Sequence, residues 1–319
     1  MAIIVMCSHL CIGDDVKPFE PAEWTRFAER LMDREIEPYE LMSFSNEDFK
    51  TKLDSQPEEA RRIIRLIERS GSISFEIEKY ASMGINVMTR ADVHYPRALK
   101  RKLGKSCPPL FYYAGNPELA RRKCTGIVGS RSVGVKDETF TAATVEKINA
   151  KGFSVVSGGA KGVDSAASEI SIANGSCSIA YIADSLISRI KNKAVVSAVI
   201  NDRLLMLSAV KPDSGFFTGF AMMRNKYIYA QSEGTVIIKS DHNKGGTWGG
   251  AVANLKQQLC STFCWNNPDY DGNIELIKRG AIPIDESWCG DVTEYKAEQM
   301  EVTEQLSFFA KSGVETVGV

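Results

Sequence analysis

Between Val128 and Asp164, two glycine-bearing turns, Gly129-Ser130-Arg131 and Ser157-Gly158-Gly159-Ala160-Lys161-Gly162, each follow a short β-branched apolar run. A run of that kind, closed by a glycine turn before an amphipathic stretch, is how a parallel sheet passes from strand to helix. In such sheets the ligand crevice lies beyond the carboxyl ends of the strands, where helix N-termini and main-chain N–H groups favour an anion. Each turn also carries a long cation, Arg131 in the first and Lys161 in the second. The pattern therefore predicts an α/β domain that holds a phosphate compound.

The flanking sequence supports that class. Strand-length apolar runs occur at Ile85 to Met88, Leu110 to Tyr113, Thr125 to Val128, Phe153 to Val156, Ser178 to Ala183, Leu204 to Leu207, Thr235 to Ile238 and Ser261 to Trp265. Amphipathic stretches at Lys136 to Ala150, Val163 to Ala173, Ser188 to Asp202, Phe217 to Gln231 and Trp248 to Gln258 separate most of them. Strands alternating with helices of this size predict right-handed crossovers and an extended Rossmann-like, doubly wound, mostly parallel sheet. Upstream, Trp24, Phe27 and Leu31 have helical spacing, and Ser45 with Asp48 forms a capping-box signal. Pro57-Glu58-Glu59 starts a further helix that is expected to stop at Gly71, and another is expected from about Phe75 to Gly84. The reading is thus a small helical domain over 1–84, the Rossmann-like domain over 85–289, and a tail over 290–319 with one docking helix on Leu306, Phe308 and Phe309.

The apolar run from Met1 to Cys7 lacks a basic flank and a small-residue cleavage site, so it reads as a strand or capping segment rather than a signal peptide. No stretch has the length of a membrane span, and a cytoplasmic location without membrane contact is expected. Eight cysteines spread over 319 residues do not make a disulfide framework. Cys7 with Cys11, and Cys260 with Cys264, share the gap of some zinc sites, but no further doublet completes four ligands, so no metal is expected. Net charge is −1, yet from Arg90 to Arg131 Lys and Arg far outnumber the acids Asp92 and Glu118. Such a run makes either a local basic face or an ordinary solvated surface.

The first turn lacks the three-glycine dinucleotide fingerprint and the Gly-Lys-Ser/Thr ending of a P-loop, which excludes an ordinary NAD site and ATP hydrolysis. Gly129 lets the backbone approach a ligand, Ser130 offers a hydroxyl, and Arg131 offers a planar fork. In the second turn Ser157, Gly158, Gly159 and Ala160 keep side-chain bulk away, so their amides are expected to lie bare beside Lys161. Arg224-Asn225-Lys226, on a later helix, is expected to close over phosphates from the opposite side, with Asn225 orienting a neighbour. A third glycine cluster, Lys244-Gly245-Gly246-Thr247, again precedes a helix. No Ser/His pair, paired carboxylates or metal cluster is visible, so no catalytic residue and no cofactor is assigned.

The order Tyr95-Pro96, Pro108-Pro109-Leu110-Phe111, Gly115-Asn116, Ile127-Val128-Gly129-Ser130-Arg131, Ser157-Gly158-Gly159-Ala160, Gly162-Val163-Asp164, Arg224-Asn225 and Gly280-Ala281 resembles the DNA-processing protein A (DprA/Smf) family. The resemblance implies a protein that binds single-stranded DNA, is usually a homodimer, and hands strands to the RecA recombinase during transformation or recombination. It implies phosphate contacts at Gly129, Ser130 and Arg131, at Ser157 to Lys161, and at Arg224, Asn225 and Lys226. The chain departs from the family pattern at Lys226, where Arg is usual, at Ala166-Ala167-Ser168, at Ala183-Asp184-Ser185 and at Asn266-Asn267. These changes fit a divergent member whose pathway, transformation or phage defence, stays open. The rival reading is a nucleotide sensor or hydrolase on the same sheet. Gly245-Gly246-Thr247-Trp248 lacks both the Pro and the Glu that related nucleotide hydrolases carry.

Overall fold

A computed structural model of the chain describes residues 1–13 and 16–293. Its centre is a nine-stranded sheet of β1 (Asn86–Thr89), β2 (Leu110–Ala114), β3 (Cys124–Val128), β4 (Ser154–Ser157), β5 (Ser178–Ile182), β6 (Leu204–Ser208), β7 (Gly234–Ile237), β8 (Ser261–Trp265) and β9 (Ile282–Ile284). The strand order is β1-β2-β6-β5-β4-β3-β7-β8-β9. From β6 to β9 every pairing is parallel, while β1 with β2 and β2 with β6 are antiparallel. The Rossmann-like α/β class predicted from the sequence is what forms. The chain winds outward from β3 through β4, β5 and β6, then returns to the other side of β3 with β7. A topological switch point therefore lies between β3 and β7.

Period-two alternation builds both faces. Val128, Val156, Ile179, Tyr181, Leu205, Leu207 and Ile237 enter one core beneath the helix Thr218–Gln231. Their neighbours Ile127, Val155, Val236, Phe263 and Trp265 enter the opposite core with the helix Val135–Ala150, where Phe140 stacks on Trp265 at 4.0 Å. Leu110, Tyr112, Ala180, Ile182, Leu204 and Met206 are buried with the N-terminal helices, including Trp24, Phe27, Phe49 and Ile63. The helical segment thus shares one continuous core with the β2, β5 and β6 end of the sheet.

Several local expectations are met by capping chemistry. Ser45 Oγ accepts from Asp48 N–H at 3.2 Å and Ser45 N–H donates to Asp48 Oδ2 at 2.9 Å, starting the helix Asn46–Leu53. Others differ. The expected helix from Ser188 to Asp202 is two, Leu186–Arg189 and Lys193–Ile200, because Asn192 Oδ1 accepts from Ala194 N–H at 2.9 Å and restarts the helix. Gly71 stops nothing: it lies in the first turn of the helix Ser70–Ser82, and the break falls at Arg69. The strand β9 and the helix Asp271–Lys278 were not anticipated as elements, being too short for a periodic signal. The docking helix expected on Leu306, Phe308 and Phe309 lies outside the described residues. No helix among the described residues is long and apolar enough to cross a membrane.

The clearest correction is at the N-terminus. Ala2–Cys7 is a helix, not a strand. Six residues are too few to hold a helix alone, so tertiary contacts decide: Val5 and Met6 are fully buried, and Arg69 reaches in to take up carbonyls. Its Nη2 donates to Val5 O at 2.5 Å and its Nη1 to Leu10 O at 2.7 Å. Replacing Arg69 by Met leaves these buried acceptors unsatisfied and is expected to lower stability by about 2–3 kcal/mol. Urea denaturation followed by circular dichroism measures this; an unchanged midpoint would remove Arg69 from the account.

Candidate functional site

At the switch point the β3 loop and the β7 loop diverge, and the gap between them opens into a cleft of about 470 Å³. The β3 side contributes Gly129, Ser130, Arg131 and Ser132; the β7 side contributes Lys239, Ser240, Asp241 and Lys244 to Thr247. Arg224, Asn225 and Tyr229 of the helix Thr218–Gln231 supply part of the floor. A second depression of about 360 Å³ adjoins it and carries the trough past Lys226, Gly249 and Gly250. Among the residues they share are Arg131, Thr218, Asn225, Tyr229, Gly245 and Gly246.

The first glycine turn is shaped by packing on one side and left open on the other. A β-carbon on Gly129 would meet Val163 Cγ2 at 2.5 Å, so glycine lets the helix Val163–Ala173 approach β3. Ser130 O accepts from Val163 N–H at 3.2 Å, and Gly129 O accepts from the Thr247 hydroxyl at 2.9 Å, fixing the loop to both neighbours. Among the described residues, the amides of Ser130 and Arg131 donate no hydrogen bond. The Arg131 guanidinium is exposed and lies 5.3 Å from the centre of the Phe216 ring.

The second turn is built differently from the expectation. Ser157 is buried and its hydroxyl donates to Ile127 O at 2.6 Å. Gly158 N–H is not bare; it donates to Asp164 Oδ2 at 3.2 Å. The space that a Gly158 side chain would fill is occupied by the Arg224 guanidinium, which a β-carbon there would overlap. Gly159 O accepts from Arg189 Nη1 at 2.8 Å, and Arg189 is in turn held by Asp184 at 2.7 Å. The bulk-free turn thus makes room for a side chain of the protein itself. Of this turn only Ala160 lines the main cleft, and Lys161 is exposed outside it.

Arg224 and Asp164 form a buried pair, with Nη1 3.6 Å from Oδ2. Arg224 is 8% exposed and Asp164 7%. Burial pushes the Asp164 carboxyl above the usual range despite the Arg224 charge, because desolvation outweighs attraction at this distance. Asn225 Nδ2 donates to Gly246 O at 2.9 Å, binding the two helices that border the trough.

Sequence reasoning missed two contributors. One is the pair of helix N-termini, at Thr218 and Gly245, neither of which has a side-chain cap among the described residues. Both face the cleft, where their free N–H groups and dipoles attract negative charge. The absence of Ser, Asp or Asn at Phe217 and Lys244 was the available signal. The other is Lys239, a lone cation at the end of β7. Its Nζ is held at 3.1 Å by Asp137 Oδ2 and at 3.1 Å by Ser132 O. Of the basic run from Arg90 to Arg131, only Arg131 reaches the cleft. Arg90 and Lys105 instead bind the helical segment, at Thr25 Oγ1 (2.7 Å) and Glu29 (3.1 Å).

These features define an α/β protein with a trough lined by cations and helix N-termini at its switch point. The sequence model for the DNA recombination-mediator protein A family matches residues 86–292, and the chain belongs to that family. Among solved structures it is similar to DNA processing protein A from Streptococcus pneumoniae, with 20% identity, a TM-score of 0.65, and coverage of 83% of this chain and 89% of that one. It is also similar to DNA processing protein A from Helicobacter pylori, a structure described for its single-stranded DNA binding mode. There the identity is 23%, the TM-score 0.54, and coverage 67% of this chain and 96% of that one. No curated protein matches the sequence.

Asp137 anchors the Lys239 side of the cleft and sets a pH dependence. Burial alone would raise its carboxyl, but hydrogen bonds from the Tyr270 hydroxyl, Gly134 N–H and Lys239 hold it below the usual range. A depressed folded value means its contribution is complete above the ordinary carboxylate range, and is lost as pH falls through that lowered value. Asp137→Asn is therefore expected to cost about 2 kcal/mol at pH 7. The difference from the parent should shrink below about pH 4. Paired urea titrations across pH check this, and a difference that stays constant with pH would contradict it.

Proposed function

We propose that this protein binds single-stranded DNA in the trough, gripping phosphates and leaving bases largely unread. The observation that carries the reading is the convergence on one cleft of two uncapped helix N-termini, the free amides of Ser130 and Arg131, and the cations Arg131, Lys239 and Lys244. A polyanion satisfies all of them at once, because each added phosphate meets a fixed dipole or a cation and releases counterions. The single-stranded DNA binding mode described for the Helicobacter pylori relative supports the same reading. Phosphate contacts are assigned to Gly129, Ser130, Arg131, Asn225 and Lys226 along the trough. Ala160 and Lys161 border it, while Ser157, Gly158 and Arg224 act from beneath.

The protein acts as a binding factor and not as an enzyme in this reading. A homodimer, a cytoplasmic location and delivery of the strand to a RecA recombinase complete the proposal, on the strength of the family resemblance. Residues 1–84 and 85–289 are taken as its two domains, the first covering Leu110, Tyr112 and Met206 of the second.

Arg131→Glu is expected to weaken binding of an oligo-dT about tenfold in fluorescence anisotropy at moderate salt, by replacing an exposed phosphate contact with a repulsive one. The parent protein should bind single strands in preference to duplex, with affinity falling linearly on a log–log salt plot. Unaltered affinity in the variant counts against the trough. Release of base or phosphate from nucleotides above the level of the same variant would favour the nucleotide-hydrolase reading instead.

A further inference from the structure

The floor of the cleft differs from its rim in a way that strand binding alone does not explain. Arg131, Ser132, Phe216 and Lys244 on the rim are exposed, whereas Arg224, Tyr229 and Ser240 below them are buried. Four donors on these three floor residues have no hydrogen-bond partner among the described residues: Arg224 Nε and Nη1, the Tyr229 hydroxyl and the Ser240 hydroxyl. Buried donors in folded proteins are nearly always paired, since each one left unmade costs the full desolvation of its group. All three residues line the one cleft, where a ligand rich in acceptors would pair such donors. The Gly158 gap holds the guanidinium in place, and Asp164 offsets only part of its charge at 3.6 Å.

We propose that this floor is a subsite for a phosphate monoester, the terminal phosphate of a DNA strand or of a mononucleotide. A phosphodiester inside a strand has two non-bridging oxygens, and its ester oxygens continue to sugars on both sides. It lies along a trough and does not descend to a buried floor. A monoester has three free oxygens, about two negative charges at neutral pH, and a single sugar to leave outside. Three oxygens can accept from the Arg224 guanidinium and from the two hydroxyls that line the same cleft. The uncapped N-terminus at Gly245 adds N–H groups at the cleft wall. Asp241 is the other acid lining the cleft; it is exposed, where solvent screens it. The inference rests on the reading of the trough as a nucleic-acid site and names what its deepest part recognises.

The test is fluorescence anisotropy with oligo-dT of one length bearing a 5′-phosphate, a 3′-phosphate or hydroxyls at both ends, with thymidine monophosphate as competitor. One phosphorylated form should bind about tenfold more tightly than the hydroxyl-ended strand, the yield of charge-assisted hydrogen bonds to a buried guanidinium. Which form gains identifies the end that is read. Displacement by the mononucleotide at similar concentration assigns the subsite to free nucleotides as well. Tyr229→Phe removes one orphaned hydroxyl and nothing else, so its melting temperature should be equal or higher while the preference falls severalfold. Arg224→Met should abolish the preference. Equal affinity for all three strands, with binding retained, overturns the subsite and leaves the trough standing. A Tyr229→Phe variant with the full preference also overturns it. If no strand binds and the mononucleotide does not either, both the trough and the subsite fail.

Discussion

A guanidinium packed where a side chain is missing governs the geometry of this molecule's cleft. Arg224 crosses from its helix to lie against Gly158, at the end of β4, with Asp164 beside it. That placement joins the helix Thr218–Gln231 to the sheet edge from which the glycine turns emerge. With the pair buried, desolvation is severe for both partners, and removing either one leaves an uncompensated charge inside the protein. The sequence between Ser157 and Asp164 is accordingly constrained as a unit. The glycine admits the guanidinium, its N–H donates to the carboxylate, and Gly162, with φ of +84°, turns the chain so that Asp164 can be reached.

Around this anchor, the electrostatics of the trough come mainly from backbone. The two uncapped helix N-termini and the open β3 loop are fixed dipoles held by packing, and they need no side-chain ordering when an anion arrives. The cations at the rim are of two kinds. Among the described residues Arg131 has no carboxylate partner and rests against Phe216, while Lys239 is held by Asp137 and Ser132. The first can follow a ligand; the second presents charge at a set point.

Several features were legible from residue order alone. Ser45 and Asp48 predicted their capping box, the alternating runs predicted the mostly parallel sheet, and Gly129-Ser130-Arg131 marked a loop that does line the cleft. Local chemistry decided each of these, so neighbouring residues were enough. The N-terminal helix was misread because a short apolar run fits a strand and a helix equally well, and Arg69, remote in sequence, decides between them.

What the sequence determined by itself was the inventory: strands, glycine turns, a basic triplet on a helix, and membership in a recognisable motif order. It could not determine which turns face one another. The two glycine turns that are adjacent in sequence follow β3 and β4, which are neighbours on the same side of the switch point. The cleft opens instead on the other side of β3, where β7 pairs with it after a separation of about a hundred residues. Strand order is set by how helices cover the two faces of the completed sheet, a balance of burial over the whole chain. Only the tertiary structure, therefore, turned the second glycine turn into a seat for Arg224 and gave its place across the cleft to Lys239 and the glycines at 245 and 246.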